Sequence, residues 1–446
     1  MNNLELLSYP LPEAVENMIS AGCAAEAGKL IAKYLEKKET PDVMKARLRF
    51  ELDLMRRRLS YYKYTYEESE TLLSSRFPLY RKGMLSSFME EGLLDWAFVN
   101  NEMRFEEKLL ENAAKRCDVL FQPDPDTDRD MKKRDDCIAL IEEKGSLCAE
   151  ISARISMRIC DESLRGQHVH VNLPLARKIE GRQDDVKIID ASDTLISVDD
   201  DSVPMRTAVF EKVLDGNDEF SLTFSYRISE SLRRFPEEEY VADGMDEYLC
   251  EELPHIAFTP YLKALAGEIT AGCMTMRGKA EAIYDWITSH VRYSFVRPYA
   301  LIRDISTYAA TSLKGDCGIQ AMLFITLCRI SGIPAAWESG WYVTDEDIGG
   351  HDWARINISG TWFPVDCSFG GGAFRQGNEK RRRHYFGNLD TLRMIANEKC
   401  CCTLTGKKTI GRDPTDNQTG EAECSGRILY DEAVSRVELV SYRFLS

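Results

Sequence analysis

Hydrophobic positions in the first 120 residues recur every three or four residues, which is the spacing of amphipathic helices. One helix is predicted to begin at Thr40-Pro41, an N-cap followed by proline at the first helical position. A second is predicted from near Asn101. The Pro- and Asp-rich residues 123–130 then indicate a boundary region. We therefore expect a helical N-terminal region over residues 1–149.

The period changes from helical spacing to two between residues 150 and 235, which indicates strands with one buried face. Phe220 to Ile228 alternate strictly between apolar and polar side chains, and Asp215-Gly216 before them is typical of a hairpin turn. With three further candidate strands, this pattern predicts a small antiparallel β-sandwich with a structural role over residues 150–245. The further strands are 168–175, 186–189 and 205–213.

An acidic, linker-like stretch over residues 237–252 precedes a third region. A helix is predicted to open at Thr259-Pro260, a second helix follows around residues 280–287, and strand-like residues come next. The chain ends in alternating residues, 427–444, that predict closing strands. We place a mixed core at residues 246–395 and expect residues 396–446 to complete it with strands.

Cys317 stands at the predicted start of an apolar helix, in the sequence Gly-Asp-Cys317-Gly. The helix is predicted to stop at Gly332, just before Pro334. A helix N-terminus favours a thiolate, and its free backbone N–H groups can receive an oxyanion. Cys317 is therefore the candidate nucleophile, whereas Cys328 in the same helix is expected to be an inert core residue.

His351 and Asp366 lie on two predicted strands that are joined by a two-residue Ser-Gly turn. If Ile358 pairs with Thr361, His351 and Asp366 become diagonal neighbours on one face, about 7 to 8 Å apart at Cα. The carboxylate is expected to accept one imidazole N–H, which leaves the other ring nitrogen to face Cys317. The pattern thus predicts a Cys/His/Asp triad.

These motifs, in this order, resemble the transglutaminase-like superfamily. They are Gly-Asp-Cys317-Gly with a helix ending Cys-Arg-Ile-Ser-Gly-Ile-Pro, then His351-x-Trp353, then Val-Asp366. The resemblance covers residues 255–395 and implies that the three matching positions are the catalytic Cys, His and Asp. The flanking regions look similar to those of large bacterial cytosolic members.

The fold class implied by this resemblance is α+β, with a papain-like transglutaminase core beside the helical region and the β-sandwich. In that family an oxyanion-stabilising side chain usually lies upstream of the cysteine, and Tyr308 and Tyr293 are both candidates. Trp341, Trp353 and Tyr308 are candidates for the wall of a substrate cleft. Ordinary packing of aromatic strands explains the tryptophans at least as well.

The composition argues against several classes of binding partner. The formal net charge of -16 opposes binding to nucleic acid, because phosphate contacts require clustered Lys and Arg. The sequence shows neither a signal peptide nor a membrane span, and its 14 cysteines have no regular spacing, as expected of reduced thiols. We expect a cytoplasmic protein that binds neither membrane nor nucleic acid. The sequence does not indicate its oligomeric state.

No metal or cofactor is expected. His168 and His170 would share one face of a strand, as a metal site requires, but no third ligand stands nearby in the sequence. Ordinary strand residues are the better interpretation of this pair.

The activity expected from this chemistry is acyl transfer from a peptide or protein substrate through a thioester on Cys317. Hydrolysis is the first expectation, because the resemblance favours it. The alternatives are an amine-accepting transglutaminase, a glycopeptide amidase, and a non-catalytic interaction module on the same fold.

Overall fold

The computed structural model describes residues 3–120, 125–216, 218–344, 348–400, 402–407 and 417–445. Its α-helices are α1 Asn3–Ser8, α2 Glu13–Ser20, α3 Ala24–Glu36, α4 Asp42–Tyr61, α5 Tyr66–Arg76, α6 Met84–Glu90, α7 Leu109–Arg116, α8 Pro125–Lys144, α9 Pro260–Ile269, α10 Met276–His290, α11 Ile305–Ser312, α12 Cys317–Ile330, α13 Cys367–Arg375 and α14 Glu379–His384.

The strands before the predicted catalytic segment are β1 Tyr62–Thr65, β2 Trp96–Val99, β3 Glu102–Glu106, β4 Ser146–Ile159, β5 His168–Pro174, β6 Gln183–Ala191, β7 Leu195–Val198, β8 Thr207–Val213 and β9 Asp218–Ser231. The later strands are β10 Arg292–Tyr293, β11 Lys314–Gly315, β12 Ala335–Val343, β13 Ile348–Ile358, β14 Thr361–Val365, β15 Arg393–Asn397, β16 Glu421–Cys424, β17 Arg427–Ile428 and β18 Ala433–Leu445.

The chain forms two compact units. Unit 1 comprises Met1–Pro123, Glu252–Ala257 and Val291–Asp316. Unit 2 comprises Asp124–Glu251, Phe258–His290 and Cys317–Ser446. All three predicted triad residues therefore belong to unit 2.

Unit 1 contains the predicted helix α4, which begins directly after Pro41. It also contains a three-stranded sheet, in the order β1-β3-β2, that the helical prediction for this region missed. The helix predicted from near Asn101 is wrong in its start, because β3 occupies this stretch and α7 begins only at Leu109. Asn100 and Asn101 have φ of 50° and 63°, so they form a left-handed turn between β2 and β3.

Glu106 of β3 is a buried carboxylate in unit 1. Its side chain accepts hydrogen bonds from Tyr61 Oη at 3.1 Å, Asn112 Nδ2 at 2.6 Å and the Asp95 backbone N–H at 2.8 Å. Burial, followed by the charge of Asp95, raises the pKa of Glu106 to about 7, although the amide donors oppose this. Glu106 is therefore protonated in the folded protein at a pH where an exposed glutamate is ionised.

This raised pKa predicts a pH dependence of stability. Between about pH 4.5 and 7 the folded state retains a proton that the unfolded chain has lost, so stability should fall as the pH rises, by on the order of 3 kcal/mol. Glu106→Gln should remove that part of the slope. Urea unfolding of both proteins from pH 4 to pH 8 measures it; parallel curves for the two proteins would contradict the assignment to Glu106.

Unit 2 contains the predicted antiparallel sandwich. Its sheets have the orders β17-β16-β5-β8-β7 and β18-β4-β9-β6. Side chains of both sheets, among them Ile155, Val171, Phe210 and Phe224, belong to one buried hydrophobic cluster. The sandwich is confirmed, and the strict alternation along β9 corresponds to its buried and less buried faces.

Two details of the sandwich differ from the sequence expectation. The C-terminal strands were expected to complete the mixed core, but β16 pairs with β5 and β18 pairs with β4 along most of their lengths. The Asp215-Gly216 pattern predicts a hairpin turn, yet β8 and β9 lie in different sheets. The Asp218 carboxylate accepts the backbone N–H groups of Asp215 and Gly216, which stabilises a crossing between sheets at a position that the sequence pattern cannot distinguish from a hairpin.

The second part of unit 2 is a four-stranded antiparallel sheet in the order β14-β13-β12-β15. Helix α12 packs against β12 and β13, and its residues Cys317 to Arg329 are all buried. Ile358 pairs with Thr361 and Ala354 with Val365, which confirms the predicted hairpin register. This register places the end of β14 beside Ala354, in the middle of β13.

Within the described residues, none of the helices has both the length and the apolar content that a bilayer-spanning segment requires.

Candidate active site

Cys317 is the first residue of α12, as predicted, and 8% of its surface is exposed. Its thiol therefore lies at the positive end of the helix dipole. Cys328, eleven residues further along the same helix, is fully buried, and burial raises the pKa of its thiol well above the usual value. The two cysteines of α12 thus have different environments, as the sequence predicted.

His351 and Asp366 form a direct contact at the strand ends. His351 lies on β13, opposite Gly340 of β12, and its Nε2 is 2.7 Å from Oδ2 of Asp366. Asp366 follows the last residue of β14 and is the N-cap of α13, where its Oδ1 accepts the Phe369 backbone N–H at 2.8 Å. Both carboxylate oxygens therefore have fixed partners, and the imidazole has one defined orientation.

Arg393 is a buried partner of the same carboxylate that the sequence analysis missed. Its Nη1 lies 2.8 Å from Asp366 Oδ2, and its Nη2 lies 3.3 Å from Asp390. Burial alone would raise the pKa of Asp366, but His351 and Arg393 together hold that pKa well below its usual range. Asp366 is therefore an anion at neutral pH in spite of its burial.

The His351 ring is enclosed by aromatic side chains. Phe369 stacks on it with a centroid distance of 4.1 Å, and Tyr342 meets it edge-on at 6.1 Å. The Arg134 guanidinium lies 4.2 Å from the centroid of this Phe369 ring. Burial lowers the pKa of His351, and the Asp366 charge opposes this only in part. The imidazole is therefore neutral at pH 7 and can accept a proton at Nδ1 while Nε2 bonds Asp366.

The thiol has a partner that the sequence analysis did not predict. Cys317 Sγ donates to Oδ2 of Asp352 at 3.2 Å, and Asp352 directly follows His351 on β13. Gln418 Nε2 donates to the other oxygen of Asp352 and to the His351 carbonyl at 3.3 Å. The sequence predicted the free imidazole nitrogen as the group that faces the thiol; the structure places the hydrogen bond of the thiol one residue further along the strand.

The tryptophans proposed for a cleft wall are both fully buried. Trp341 packs against Phe224 of the sandwich at 5.8 Å, and its indole N–H donates to the Gln418 carbonyl at 2.7 Å. Trp353 lies in a cluster with Tyr385 and with Phe369 of α13, and its ring is 5.7 Å from that of His351. Both tryptophans are packed in the protein interior and form no open surface. Their role in a substrate cleft stays a prediction.

A buried ion-pair network lies beneath Trp353. The indole N–H donates to Glu338 Oε2 at 2.7 Å, and Glu338 Oε1 is 2.8 Å from Nη1 of Arg182. Arg182 also pairs with Glu230 of β9 at 2.9 Å, which links the sandwich to β12 of the four-stranded sheet. Burial opposes ionisation of Glu338, yet Arg182 and Arg355 lower its pKa to about 2.

The two oxyanion candidates belong to unit 1. Tyr308 is half-buried, and the Arg297 guanidinium lies 5.0 Å from its ring centroid. Tyr293 meets Phe295 edge-on at 5.7 Å, with the Lys115 ammonium 5.2 Å from its ring. These contacts explain both rings as packed side chains, and their roles toward an oxyanion stay predictions.

No group of three or more His, Cys, Asp or Glu side chains suited to a metal ion occurs in the part of the chain that the structure describes. His170 bonds Glu211 at 3.0 Å through Nδ1 and the Thr405 carbonyl at 3.0 Å through Nε2. Nearby, His168 lies 3.7 Å from the same glutamate. Both imidazoles thus face one carboxylate.

Comparison with known proteins identifies residues 263–367 as a match to the model of the transglutaminase-like superfamily. Among solved structures, a candidate cysteine protease from Cytophaga hutchinsonii is 16% identical, with a TM-score of 0.44, over 66% of this chain and 91% of that chain. The periplasmic domain of TgpA from Pseudomonas aeruginosa is 12% identical, with a TM-score of 0.29, over 56% and 96%.

A candidate protease from Parabacteroides distasonis is 12% identical, with a TM-score of 0.21, over 49% of this chain and 64% of that chain. No curated protein matches the chain. The identities and TM-scores are too low to transfer an activity.

Proposed function

We propose that this protein is a thiol enzyme that hydrolyses peptide or amide bonds, with Cys317 as nucleophile, His351 as base and Asp366 as orienter, which agrees with the match of residues 263–367 to the transglutaminase-like superfamily. The observation that carries this proposal is the buried pair of His351 and Asp366 at 2.7 Å. The thiol at the start of α12 donates a hydrogen bond to Asp352, the residue after that histidine.

The electrostatics of the pair support the role of a base. A neutral imidazole is required to remove the thiol proton, and the lowered pKa of His351 keeps the ring neutral at pH 7. The anionic Asp366 holds the proton on Nε2 and stabilises the imidazolium that forms when Nδ1 takes a second proton. Asp366 itself stays ionised throughout, since Arg393 compensates its charge.

The proposed reaction has two steps. First, Cys317 Sγ bonds to the carbonyl carbon, the C–N bond breaks, and the leaving amine takes the proton that His351 received from the thiol. Second, a water molecule attacks the thioester while His351 removes a proton from it, the C–S bond breaks, His351 returns the proton to the Cys317 sulfur, and the acid is released. The N–H groups at the start of α12 are the donors we propose for the oxyanion.

The proposed substrate is a peptide or protein. If an amine replaces water in the second step, the same site produces a new amide, so the choice between hydrolase and transglutaminase depends on the acceptor alone. Release of a sugar from a glycopeptide would instead indicate an amidase. We propose the cytoplasm as its compartment, without a membrane or nucleic-acid partner.

The test is detection of the thioester. We expect intact-protein mass spectrometry after acid quench of a peptide-library reaction to show adducts on the wild-type protein and cleaved peptides in the supernatant. Cys317→Ala should show neither. Adding a primary amine should leave the products unchanged if water is the true acceptor.

Cys328→Ala is the matched control, because it removes a thiol from the same helix that has no proposed role. This variant should form the same adducts as the wild type. Adducts that persist on Cys317→Ala would refute the nucleophile assignment, and a library that yields neither adduct nor cleavage would favour the non-catalytic interaction module.

A further inference from the structure

The contact between the thiol of Cys317 and Asp352 has a chemical consequence. The Cys317 thiol donates a hydrogen bond to Oδ2 of Asp352, with 3.2 Å between sulfur and oxygen, and 6% of the Asp352 surface is exposed. A carboxylate at this distance accepts a hydrogen bond from a neutral thiol but repels a thiolate. The contact therefore stabilises the form of Cys317 that does not attack a carbonyl.

The carboxylate is held in place by Gln418. The Gln418 amide donates to Oδ1 of Asp352 and to the His351 carbonyl, so Oδ2 is directed to the sulfur. The Gln418 backbone is fixed in turn, because its carbonyl accepts the Trp341 indole N–H at 2.7 Å. Each oxygen of the Asp352 carboxylate thus has a hydrogen-bond partner, and one of these partners is the proposed nucleophile.

Gly350 makes room for this arrangement. A Cβ atom at this position would overlap Oε1 of Gln418, and 350 immediately precedes the proposed base. The overlapping atom is the end of a flexible side chain, so alanine at 350 should be tolerated and should displace the Gln418 amide. The chain thereby offers a way to disturb the carboxylate without changing any of the groups that contact the thiol.

We propose that Asp352, positioned by Gln418, restrains the nucleophile: it holds Cys317 as a neutral thiol until a bound substrate breaks the contact. The proposal rests on the proposed function for the identity of the nucleophile. It assigns Asp352 a positioning role and no part in bond making.

The experiment measures the reactivity of Cys317 rather than turnover. Alkylation by iodoacetamide at pH 6.5, followed by peptide mapping of the Cys317 peptide, gives its rate constant. Asp352→Asn keeps the shape and the Gln418 contact but removes the charge, so we expect alkylation at least about tenfold faster than in the wild type. Gly350→Ala should give an increase in the same direction, but a smaller one.

A pH profile separates this effect from a structural one. The charged groups close to His351 are Asp366, Arg393 and Arg134, and Asp316 directly precedes Cys317 in the sequence. Asp352→Asn alters none of these groups. The rise of the alkylation rate with pH should therefore shift to lower pH, and the part of the profile that is due to the titration of His351 should remain. Asp200→Asn, which removes an exposed carboxylate of unit 2, should leave the profile unchanged.

Slower alkylation in Asp352→Asn would overturn the proposal and make Asp352 an activating group. An unchanged rate would overturn it as well, because the charge would then have no influence on the sulfur. The proposed function fails independently: a library without adducts on the wild-type protein, together with faster alkylation of Asp352→Asn, would leave a restrained thiol with no acyl transfer.

Discussion

Replacement of Asp366 by asparagine is expected to lower the rate of thioester formation by about four orders of magnitude, with the fold retained. Nε2 of His351 bonds Oδ2 of this carboxylate at 2.7 Å, which leaves Nδ1 as the acceptor for the thiol proton. An asparagine amide can donate to Nε2 instead, and the ring proton then resides on Nδ1. The base is lost although the ring has not moved.

The adduct assay with a peptide substrate measures this rate, and circular dichroism verifies the fold. Asp390→Asn is the matched control: Asp390 is also fully buried and pairs with Arg393 and Tyr385, and the structure gives it no contact with His351. It should lower stability while the rate stays within about tenfold of the wild type. Equal losses of rate in both variants would mean that the Arg393 network, and not the imidazole orientation, controls the reaction.

Glu338→Gln is expected to reduce the free energy of unfolding by about 3 to 5 kcal/mol. The substitution keeps an oxygen for the Trp353 indole N–H but removes the negative charge beside Arg182 and Arg355. A buried guanidinium with an incomplete set of counter-charges is costly. Urea unfolding monitored by tryptophan fluorescence measures the loss.

The same carboxylate predicts acid sensitivity. The pKa of Glu338 is lowered to about 2 in the folded protein, so its stabilising contribution is fully present above the ordinary value near 4.5 and is lost as the pH falls toward 2. The wild type should lose stability over that interval, whereas Glu338→Gln should lose less. As a control, Glu219→Gln removes an exposed partner of Arg154 and should leave the unfolding midpoint unchanged.

The sequence predicted the site where local rules determine geometry. A two-residue turn fixes the pairing of Ile358 with Thr361, and side-chain alternation then places His351 and Asp366 on one face. Cys317 was predicted from equally local evidence, an apolar helix that starts at a glycine-flanked cysteine. Each of these inferences required only a short stretch of sequence.

Arg393 and Gln418 could not be predicted in this way. Arg393 reaches Asp366 from β15, and Gln418 reaches Asp352 from a position 66 residues further along the chain. Neither has a spacing that connects it to the motif, so only the tertiary fold brings them to the site. The β2–β3 hairpin is a different case: Asn100-Asn101 between two short segments is a usable turn signal, which the helical period of the wider region obscures.

The pairing of β4 with β18 has a consequence for biosynthesis. Arg443 contacts Glu150 across a separation of 293 residues, so one edge of β4 lacks its neighbour until β18 has left the ribosome. An open, largely apolar strand edge is prone to join other chains. We expect a nascent or shortened chain that lacks β18 to depend on chaperones, and the proposed nucleophile to become part of a finished unit 2 only after β18 has been synthesised.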